Sequence, residues 1–543
     1  MTTGDVKRIN LSTSSFERLI TAGQFYVDKS RLIEHFLQSE HEVQLIARQR
    51  RLGKSLNMNM LRCFLTSKKD MRHLFRGLYI ETSPVWEYAN SAPIFYFDFK
   101  NLTPGAYKLQ VAEQVYEQIC TFVEPDELKG YMKVQVDSLL NNPEKAAEGL
   151  RLITSIAHAI SGKRAYLLID EYDNLLIESH NTSKYEEIRA FITILLSSGL
   201  KGNEYLEKAL LTGVMRISHE SILSGLNNIV THDVFVDGVY TDDYGLTEDE
   251  MAAINQQADF DINEVRQWYN GIRIDGKAIY NIYAVMSFLA RKQFDCYWGK
   301  SGTLDMIISL LNDKRKQTLA KLLNGEHVTV GVDPRISLNQ LTNATGNDGA
   351  FYSLLIQAGY LAIEERSVNG TARVSIPNRE LHLVWQQFIL SNYYPDTQQV
   401  RTLFDHADNL MLFTQDLEYF LCDRLSVHDL SVHKTESSGR VHERIYHVFL
   451  LGILSAYDDV RCKYPLSNRE SGDGRYDILV EKSTANFIFE FKAADNAGNL
   501  EEKAIAALSQ IEEKRYGAEI DGKKPIVKVG IAFHGKLCKV KCS

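Results

Sequence analysis

The stretch that decides the fold is VQLIARQRRLGKSLNMNMLRCF, residues 43–64. Its opening apolar run predicts a strand, a basic turn follows, and apolar residues then recur at the spacing of a helix. Such a junction binds anions, because the first N–H groups of a helix lack intrahelical partners and lie at the positive end of the helix dipole. The tripeptide Gly53-Lys54-Ser55 therefore predicts a phosphate site. Lys54 would reach the terminal phosphates of a nucleotide, and the Ser55 hydroxyl would bind Mg²⁺.

A second motif, AYLLIDEYDNLL at residues 165–176, combines an apolar run with carboxylates. The run is typical of a parallel strand buried on both faces, and it ends on Asp170 and Glu171. Carboxylates at the end of a buried strand are costly unless a cation or hydrogen bonds satisfy them. We predict that Asp170 binds Mg²⁺ and that Glu171 orients and activates the attacking water. The same residues also suit a helix N-terminus with Asp170 as its cap, and the two interpretations are compatible.

Further apolar runs at residues 93–99 and 209–214 extend this pattern. Strands that alternate with helical segments predict an α/β domain with a mainly parallel sheet and helices on both faces. Ligands of such sheets bind beyond the carboxyl ends of the strands, where Thr212 and Arg216 could sense the γ-phosphate. The segment before the phosphate loop, residues 16–30, either covers a nucleobase or packs against the first strand.

Composition places the 543-residue chain among ordinary globular proteins, with 44% hydrophobic and 24% charged residues, and its length predicts about three domains. The chain shows no apolar core of the signal-peptide type at its start and no run of membrane-spanning length. We therefore expect an intracellular, cytoplasmic protein with no membrane partner. Seven scattered cysteines without paired CxxC spacing predict neither a disulfide framework nor a zinc site, and we expect Cys538 and Cys542 to be exposed thiols in a tail.

Charge is unevenly distributed along the chain, whose net charge is -9. From Arg440 onward, 17 lysine and arginine residues stand against 15 acidic residues, so this part is slightly basic and the preceding part acidic. The final stretch, residues 522–543, has six lysines and no acid. It is either a surface that contacts phosphates or a terminal strand kept soluble by lysine, and the sequence favours neither.

The middle of the chain is mainly helical in its pattern. Residues 247–250, TEDE, form a capping box ahead of an apolar run. Further on, Asn369-Gly370 between two alternating runs is a strong hairpin signal, and a helical pattern precedes it. Helix followed by hairpin looks like a winged-helix unit. A lid or relay is favoured over DNA binding, because the hairpin carries Glu364 and Glu365 beside Arg366.

The C-terminal part begins after a polar segment, residues 426–440, which lacks apolar periodicity and is predicted to be a linker. Asp477 precedes one apolar run, and Glu490 and Lys492 alternate along the next, NFIFEFK, so that one face carries a carboxylate beside an ammonium. Asp…Glu-x-Lys on adjacent strands resembles the arrangement of the PD-(D/E)xK nucleases. The resemblance implies that Asp477 and Glu490 hold Mg²⁺ or Mn²⁺ and that Lys492 positions or deprotonates the water that attacks the scissile phosphate. A structural ion pair on a half-exposed strand has the same pattern.

Three further residues belong to this hypothesis. Glu443 opens a predicted helix as a third metal ligand, Glu470 is its rival, and Gln510 lies on the following helix as a catalytic residue. Glu443 is alternatively a helix N-terminal acid, and Gln510 a surface amide. The order helix, two or three strands, helix and a closing strand at residues 526–533 resembles the core of PD-(D/E)xK nucleases, as do the Asp…Glu-x-Lys motif and GDGRYD at residues 472–477.

Six segments resemble, in this order, those of the AAA-ATPase-like family of prokaryotic P-loop proteins. They are YVDK (26–29), RQRRLGKS (48–55), LIDEYD (168–173), TGVMRI (212–217), YGLT (244–247) and WYNG (268–271). That family usually carries RPRRFGK[ST] in its phosphate loop. Arg48 in place of the first Walker A glycine therefore agrees with the family, whereas Gln49 and Leu52 depart from it. The resemblance implies that the ATP-binding residues are Arg50, Arg51, Gly53, Lys54, Ser55, Asp170 and Arg216.

The predicted parts are an AAA-like P-loop ATPase domain (1–240), a helical lid with a winged-helix-like unit (241–425), a linker (426–440) and an α/β PD-(D/E)xK nuclease-like domain (441–543). The resemblance implies an ATP-dependent or ATP-regulated, metal-dependent nuclease that acts on nucleic acid, with DNA favoured over RNA, in defence against foreign DNA. The alternative is an ATP-driven interaction switch whose nuclease-like domain only binds nucleic acid or a partner. The sequence leaves open whether the protein is a homo-oligomer in which a second protomer supplies Arg50 or Arg51 as an arginine finger.

Overall fold

The computed structural model describes residues 2–3, 8–124, 127–128, 130–180, 182–215, 228–236, 238–274, 276–298, 307, 310–323, 325–334, 348–367, 369–385, 409–424, 463–467, 470–471, 474–481, 485–516, 524–534 and 537–543. The predicted linker, Arg216 and Glu443 lie outside these residues. The chain forms two compact units. Unit 1 comprises residues 1–310 and 329–380, and unit 2 comprises residues 311–328 and 381–543.

Unit 1 is built around a parallel sheet. A short antiparallel pair, β1 (Thr2–Thr3) and β2 (Tyr26–Val27), comes first. The sheet consists of β3 (Val43–Ala47), β4 (Ile94–Asp98), β5 (Ala165–Asp170), β6 (Leu206–Gly213) and β7 (Ile229–His232). These strands pair in the order β4-β5-β6-β3-β7, all parallel. Every residue of β3 and β5 is buried, because a strand covered on both faces has no side for polar residues. The predicted parallel α/β sheet is confirmed.

Helices follow the strands along the chain. They are α1 (Phe16–Thr21), α2 (Arg31–Gln38), α3 (Lys54–Leu65), α4 (Tyr107–Phe122), α5 (Tyr131–Asn141), α6 (Gly149–Ser161), α7 (Asn174–Ser179) and α8 (Tyr185–Leu200). Among them α3 packs on β4 and β5, α6 on β5, and α8 on β6. In α2 the residues Leu32, Ile33 and Phe36 form one apolar stripe that is buried, as their spacing predicts.

The middle of the chain is mainly helical, with two hairpins. Its elements are α9 (Glu248–Ala258), α10 (Ile262–Tyr269), β8 (Asn270–Ile274), β9 (Lys277–Tyr280), α11 (Ile282–Arg291), α12 (Asp313–Leu323, part of unit 2), β10 (Val328–Gly331), α13 (Asp348–Gln357), β11 (Ala362–Ser367) and β12 (Thr371–Ser375). The capping box is confirmed, since the Thr247 hydroxyl accepts from the Glu250 N–H and the Glu250 carboxylate from the Thr247 N–H. The hairpin is confirmed as well, with Gly370 at φ 79° in its turn.

Unit 2 contains a mixed five-stranded sheet. Its strands are β13 (Lys463–Ser467), β16 (Ile478–Glu481), β17 (Asn486–Ala493), β18 (Ile526–His534) and β19 (Leu537–Cys542), and they pair in that order. A separate small pair joins β14 (Glu470–Ser471) and β15 (Gly474–Arg475). The pair β17 and β18 is parallel, and the remaining pairs of the sheet are antiparallel. The predicted succession of strands, helix and strand is present, with one more strand, β19, after the predicted closing strand.

Two helices of unit 2 pack on this sheet. The helix α15 (Leu500–Glu513) connects β17 to β18 and contacts both. The helix α14 (Leu410–Arg424) contacts β19, and its Phe413 ring lies 5.4 Å from that of Phe487. The sequence assigned α14 to the lid, but its buried residues Phe413, Leu417 and Leu421, spaced at i, i+4 and i+8, face the core of the mixed sheet.

The expectation of exposed cysteines at the C-terminus was wrong. Cys538 is buried, and its Sγ lies 3.3 Å from Sγ of Cys422 on α14. The cause is the period-two pattern of β19, in which Cys538, Val540 and Cys542 belong to the apolar cluster that includes α14.

Candidate nucleotide and nuclease sites

The phosphate loop joins the end of β3 to the start of α3. Gly53 has φ 90°, a left-handed conformation that favours glycine, and Lys54 is the first residue of α3. The buried Lys54 ammonium donates to the carbonyl oxygens of Arg48 at 2.7 Å and Gln49 at 2.9 Å. Burial lowers the pKa of Lys54, and the nearby carboxylates, Glu171 first, oppose that shift. The loop thus holds a cation at the N-terminus of a helix, where phosphate oxygens bind.

The strand β5 ends on the two predicted acidic residues. The carboxylate of the buried Asp170 accepts from the Thr212 hydroxyl on β6 and, at 3.1 Å, from the Tyr96 hydroxyl on β4. Oδ1 accepts from Thr212 and also from the Glu171 N–H at 3.1 Å, whereas Oδ2 accepts from Tyr96 and keeps a lone pair for a cation. Glu171 is half-buried and has φ 52°, which residues other than glycine rarely adopt. Backbone strain of this kind concentrates at functional sites.

The next two residues hold the end of β6, a role that the sequence analysis missed. The Asp173 carboxylate accepts from the N–H groups of Val214 at 2.9 Å and Met215 at 2.8 Å. The Tyr172 hydroxyl donates to the Met215 carbonyl at 2.8 Å. Burial raises the pKa of Asp173 to about 6, against the effect of its two N–H donors. Both side chains therefore fix the backbone that immediately precedes Arg216.

The helix that follows the Asp170–Asp173 motif starts too late for Asp170 to be its cap. The helix α7 begins at Asn174, with Asp173 at its N-cap position and no side-chain cap bond. The alternative in which Asp170 caps a helix is therefore wrong, because Asp170 is the last residue of β5.

A cavity of about 980 Å³ opens at the phosphate loop. The loop and the start of α3, residues 50–57, line it together with Glu171. Residues 9–14 and 25–27, which precede the loop in sequence, line it too, as do apolar and aromatic side chains that include Tyr283 and Met286 of α11. An apolar wall near phosphate-binding groups suits a nucleotide, with the base on the apolar side. Residues 25–27, within the segment that precedes the loop, thus belong to the cavity wall, which is where a segment that covers a nucleobase has to lie.

The three arginines of the loop have different surroundings. Arg50 and Arg51 line the cavity. The Arg51 guanidinium lies 4.4 Å from the centre of the Tyr283 ring and donates to the Tyr297 carbonyl. Arg48 is 1% exposed, and none of its guanidinium nitrogens has a hydrogen-bond partner among the described residues. Burial lowers the pKa of Arg48 to about 10, although Asp233 opposes this shift.

In unit 2 the predicted motif lies on two neighbouring strands. The register of β16 and β17 pairs Ile478 with Phe489, so that Asp477, one residue before β16, stands opposite Glu490. The Asp477 carboxylate accepts from the Phe491 N–H at 2.8 Å. The two predicted metal-binding carboxylates are therefore neighbours across the strands.

Gln510 joins the other predicted residues. Its Oε1 accepts from the Lys492 ammonium at 2.5 Å, and its Nε2 donates to the Glu490 carboxylate. The same Nε2 lies 3.4 Å from the Tyr516 hydroxyl, a contact that the sequence did not predict. Because Gln510 bonds to both side chains of the motif, it is not merely a surface amide.

The opposite faces of β17 have different roles. Phe487, Phe489 and Phe491 enter the apolar cluster that includes α14, whereas Ile488 packs with Ile511 of α15. Glu490 and Lys492 share the face of Ile488, as the alternation predicted. The strand is therefore anchored by aromatic side chains on one face and presents its polar groups on the other.

Part of the predicted set cannot be placed. Arg216 and Glu443 lie outside the described residues, and only the backbone of Glu470, in β14, is described. Within the described ranges no group of three or more His, Cys, Asp or Glu side chains is gathered as a metal centre.

Comparison with known proteins finds a family match at each end of the chain. Residues 10–223 match the model of a family described as a predicted AAA-ATPase, and residues 441–542 match that of the PD-(D/E)XK nuclease superfamily. The chain joins an AAA-ATPase-like domain to a nuclease-superfamily domain. An uncharacterized protein in the vnfD 5′ region of Azotobacter chroococcum mcd 1 is 26% identical over 543 residues, which covers 97% of this chain and 96% of that protein. The two matches support a nuclease with an ATPase module.

Three lysines near the end of the nuclease-superfamily domain form ion pairs with glutamates in the described part of the chain. Lys528 contacts Glu512, Lys539 contacts Glu418, and Lys541 contacts Glu501, at 2.9, 2.9 and 2.6 Å. These contacts favour the solvated-strand interpretation over a phosphate-binding surface. None of the described helices combines the length and apolar character that crossing a membrane requires.

Proposed function

We propose that this protein is an ATP-dependent or ATP-regulated, metal-dependent nuclease that cleaves nucleic-acid phosphodiesters. One observation carries the proposal: Glu490 and Lys492 share a strand face, Asp477 stands opposite Glu490, and Gln510 bonds to both Glu490 and Lys492. A carboxylate pair beside an ammonium is suited to metal-assisted attack of water on phosphorus.

The residues of this site fit a divalent cation. Asp477 and Glu490 offer the oxygen ligands that Mg²⁺ and Mn²⁺ prefer. Glu490 is only 5% exposed, and a buried carboxylate is costly unless a cation or hydrogen bonds compensate it. When bound, the ion would stabilise negative charge that develops on the scissile phosphate. Lys492 would position or deprotonate the water, while Gln510 holds its ammonium.

The residues of the AAA-ATPase-like domain fit ATP with Mg²⁺. Lys54 lies at the N-terminus of α3, and the Ser55 hydroxyl, in the cavity wall, and the Asp170 carboxylate, at the end of β5, would supply oxygen ligands for Mg²⁺. Glu171 would orient the attacking water, and Arg50 adds positive charge to the cavity wall. Turnover at this site would control when the nuclease-superfamily domain acts.

The decisive experiment measures cleavage of supercoiled plasmid, single-stranded DNA and structured RNA by the full chain, with Mg²⁺ or Mn²⁺ and with or without ATP. We expect the parent protein to cleave at least one polymer, and Glu490→Gln and Lys492→Met to lose that activity. Glu502→Gln is the matched control, because Glu502 is exposed on α15, the helix that carries Gln510. Cleavage by Glu490→Gln at the parent rate would overturn the proposed site.

The ATP arm separates regulation from chemistry. Lys54→Ala should abolish ATP hydrolysis, whereas Lys201→Ala, at an exposed lysine just after α8, should not. If cleavage is then independent of ATP and of Lys54, the proposed coupling fails although the nuclease stands. Metal-independent binding of nucleic acid with no cleavage under any condition would instead support the interaction switch.

A further inference from the structure

Large side chains of the phosphate loop contact a different part of unit 1. That part, here called the middle segment, comprises residues 241–298 and 329–380 and follows the parallel sheet in sequence. Gln49, Arg51 and Leu52 each contact the middle segment. Among the polar contacts that the structure describes for these three residues, none is made with a strand of the parallel sheet. The phosphate loop of this chain is therefore attached to the middle segment through its side chains.

Gln49 makes the tightest of these contacts. Its side chain is 4% exposed and lies against Gly359, just after α13, and a Cβ atom added at Gly271, in β8, would lie 3.8 Å from its Nε2. A methyl group at Gly359 would come within 2.7 Å of the Gln49 Cδ, so only glycine leaves room for this amide. Gly359 also has φ 86°, which itself favours glycine. The loop thus touches the corner between α13 and the β11–β12 hairpin.

Arg51 and Leu52 extend the attachment to two other places. The Arg51 guanidinium stacks on Tyr283 of α11 and donates to the Tyr297 carbonyl. Leu52 is buried, and its carbonyl accepts from the Gly245 N–H at 3.0 Å. Arg51 has φ 66°, so the loop holds a non-glycine residue in a left-handed conformation to make these contacts.

A second step links Arg51 to the end of unit 1. The N–H of Trp298, next to the Tyr297 carbonyl that Arg51 contacts, donates to the Glu380 carboxylate at 2.5 Å. Glu380 is buried and is the last residue of unit 1 before the chain enters unit 2 at Leu381. Trp298 also lines the nucleotide cavity. One short path of contacts therefore runs from the phosphate loop to the residue where unit 1 ends.

Hydrogen bonds of Lys54 connect phosphate binding to the backbone of the loop. Its ammonium donates to the carbonyls of Arg48 and Gln49, which are backbone atoms of the same loop. An ammonium that turns toward a bound phosphate gives up these two bonds, and the peptide of Gln49 is then free to reorient. Because the Gln49 amide lies so close to Gly359 that a methyl group would not fit between them, a rotation of that peptide displaces the corner after α13.

We infer that Gln49 and Arg51 couple phosphate occupancy of the loop to the conformation of the middle segment, at Gly359 and at Tyr297–Trp298 respectively. This regulation rests on the proposed nucleotide site. Gln49 displaces the corner between α13 and the β11–β12 hairpin, and Arg51 displaces the segment at Tyr297–Trp298 that Glu380 contacts. Arg51 lines the cavity, so the nucleotide binding of its variant is measured before its exchange pattern is compared.

Hydrogen–deuterium exchange of the full chain tests this inference, with ATP and with its non-hydrolysable β,γ-imido analogue as the probes. Nucleotide binding is measured separately by equilibrium dialysis. We expect the analogue to change exchange in peptides that contain Gly359 and in those that contain Tyr297. Gln49→Ala should lose the change at Gly359 and keep that at Tyr297, and Arg51→Ala should show the reverse pattern. Gln38→Ala, at an exposed glutamine of α2, should keep both changes.

The outcomes distinguish the two proposals. Failure of the parent protein to bind either probe would overturn the nucleotide site and the coupling together. Binding without any change at the two peptides would overturn the coupling alone. Retention of both changes in a Gln49→Ala, Arg51→Ala double variant that still binds the probe would also overturn it, because the path would then run elsewhere.

Discussion

The amide oxygen of Gln510 accepts a hydrogen bond from the Lys492 ammonium at 2.5 Å, and the amide nitrogen of the same side chain donates to Glu490. Gln510 therefore holds a cation and an anion of the motif in one orientation. We expect Gln510→Ala to lower the cleavage rate by about 10- to 100-fold, the usual cost of removing a group that orients a metal ligand. The rate with saturating Mn²⁺ is the measurement.

A control separates orientation from folding. Ser509→Ala changes the neighbouring residue of α15 and should leave the rate unchanged, while thermal melting should show both variants folded. If Gln510→Ala cleaves at the parent rate, the amide is a structural contact and the assignment fails.

Replacement of Glu171 separates ATP binding from ATP turnover. The Glu171→Gln side chain keeps its size but cannot act as a base, so hydrolysis should slow by about 100-fold or more while the nucleotide still binds. Phosphate release and equilibrium dialysis measure the two quantities. ATP hydrolysis by Glu171→Gln at the parent rate would show that the Glu171 carboxylate does not activate the attacking water.

The buried Asp173 predicts a pH effect on stability. Its pKa is raised to about 6, so the folded state holds this proton more tightly than the unfolded chain does. Stability from this group is therefore present at low pH and is lost as pH rises from about 4 to about 6, a loss of about 3 kcal/mol. Asp173→Asn removes the titration and keeps an oxygen that can accept from Val214 and Met215.

Urea denaturation of both proteins across this pH range measures the effect. The free energy of unfolding of Asp173→Asn should rise relative to that of the parent between about pH 4 and about pH 6, and the difference should then stay constant. A difference independent of pH would mean that the pKa of Asp173 is the same in the folded and the unfolded chain.

Gly530 predicts a packing limit in unit 2. A Cβ atom there would lie 2.4 Å from the Ala504 carbonyl oxygen and 2.6 Å from the Leu508 nitrogen, both backbone atoms of α15. Gly530→Ala should therefore lower the free energy of unfolding by about 1–3 kcal/mol, because the helix must move off the sheet. Gly105→Ala, at a glycine with open space around it, is the control. Equal melting curves for the two variants would contradict this packing.

Local patterns predicted much of the fold. The apolar runs at β3 and β5 produced buried parallel strands, since only a strand covered on both faces accommodates such a sequence. The alternation of Glu490 and Lys492 predicted their common face, because side chains in a strand alternate by geometry. Asn369-Gly370 predicted its turn from backbone preference alone.

Contacts between distant segments were not predictable in this way. The roles of Tyr172 and Asp173 depend on the end of β6, which lies about 40 residues further along the chain. In the sequence Gln49 was only a departure from a family pattern. Its contact is with Gly359, about 310 residues further along the chain, and only the folded structure brings the two residues together. The placement of α14 on β19 likewise follows from tertiary packing, because an apolar stripe does not specify its partner.

Glu250 connects two parts of unit 1 that are 221 residues apart in sequence. Its carboxylate completes the capping box of α9 and accepts from the buried ammonium of Lys29 at 2.7 Å. During synthesis Lys29 leaves the ribosome long before Glu250, so its charge has to remain hydrated until the ninth helix emerges. A fragment that stops at residue 240 therefore lacks both the Asp242 carbonyl and the Glu250 carboxylate that the Lys29 ammonium contacts, so the residues of the sheet alone do not supply every polar partner of this lysine.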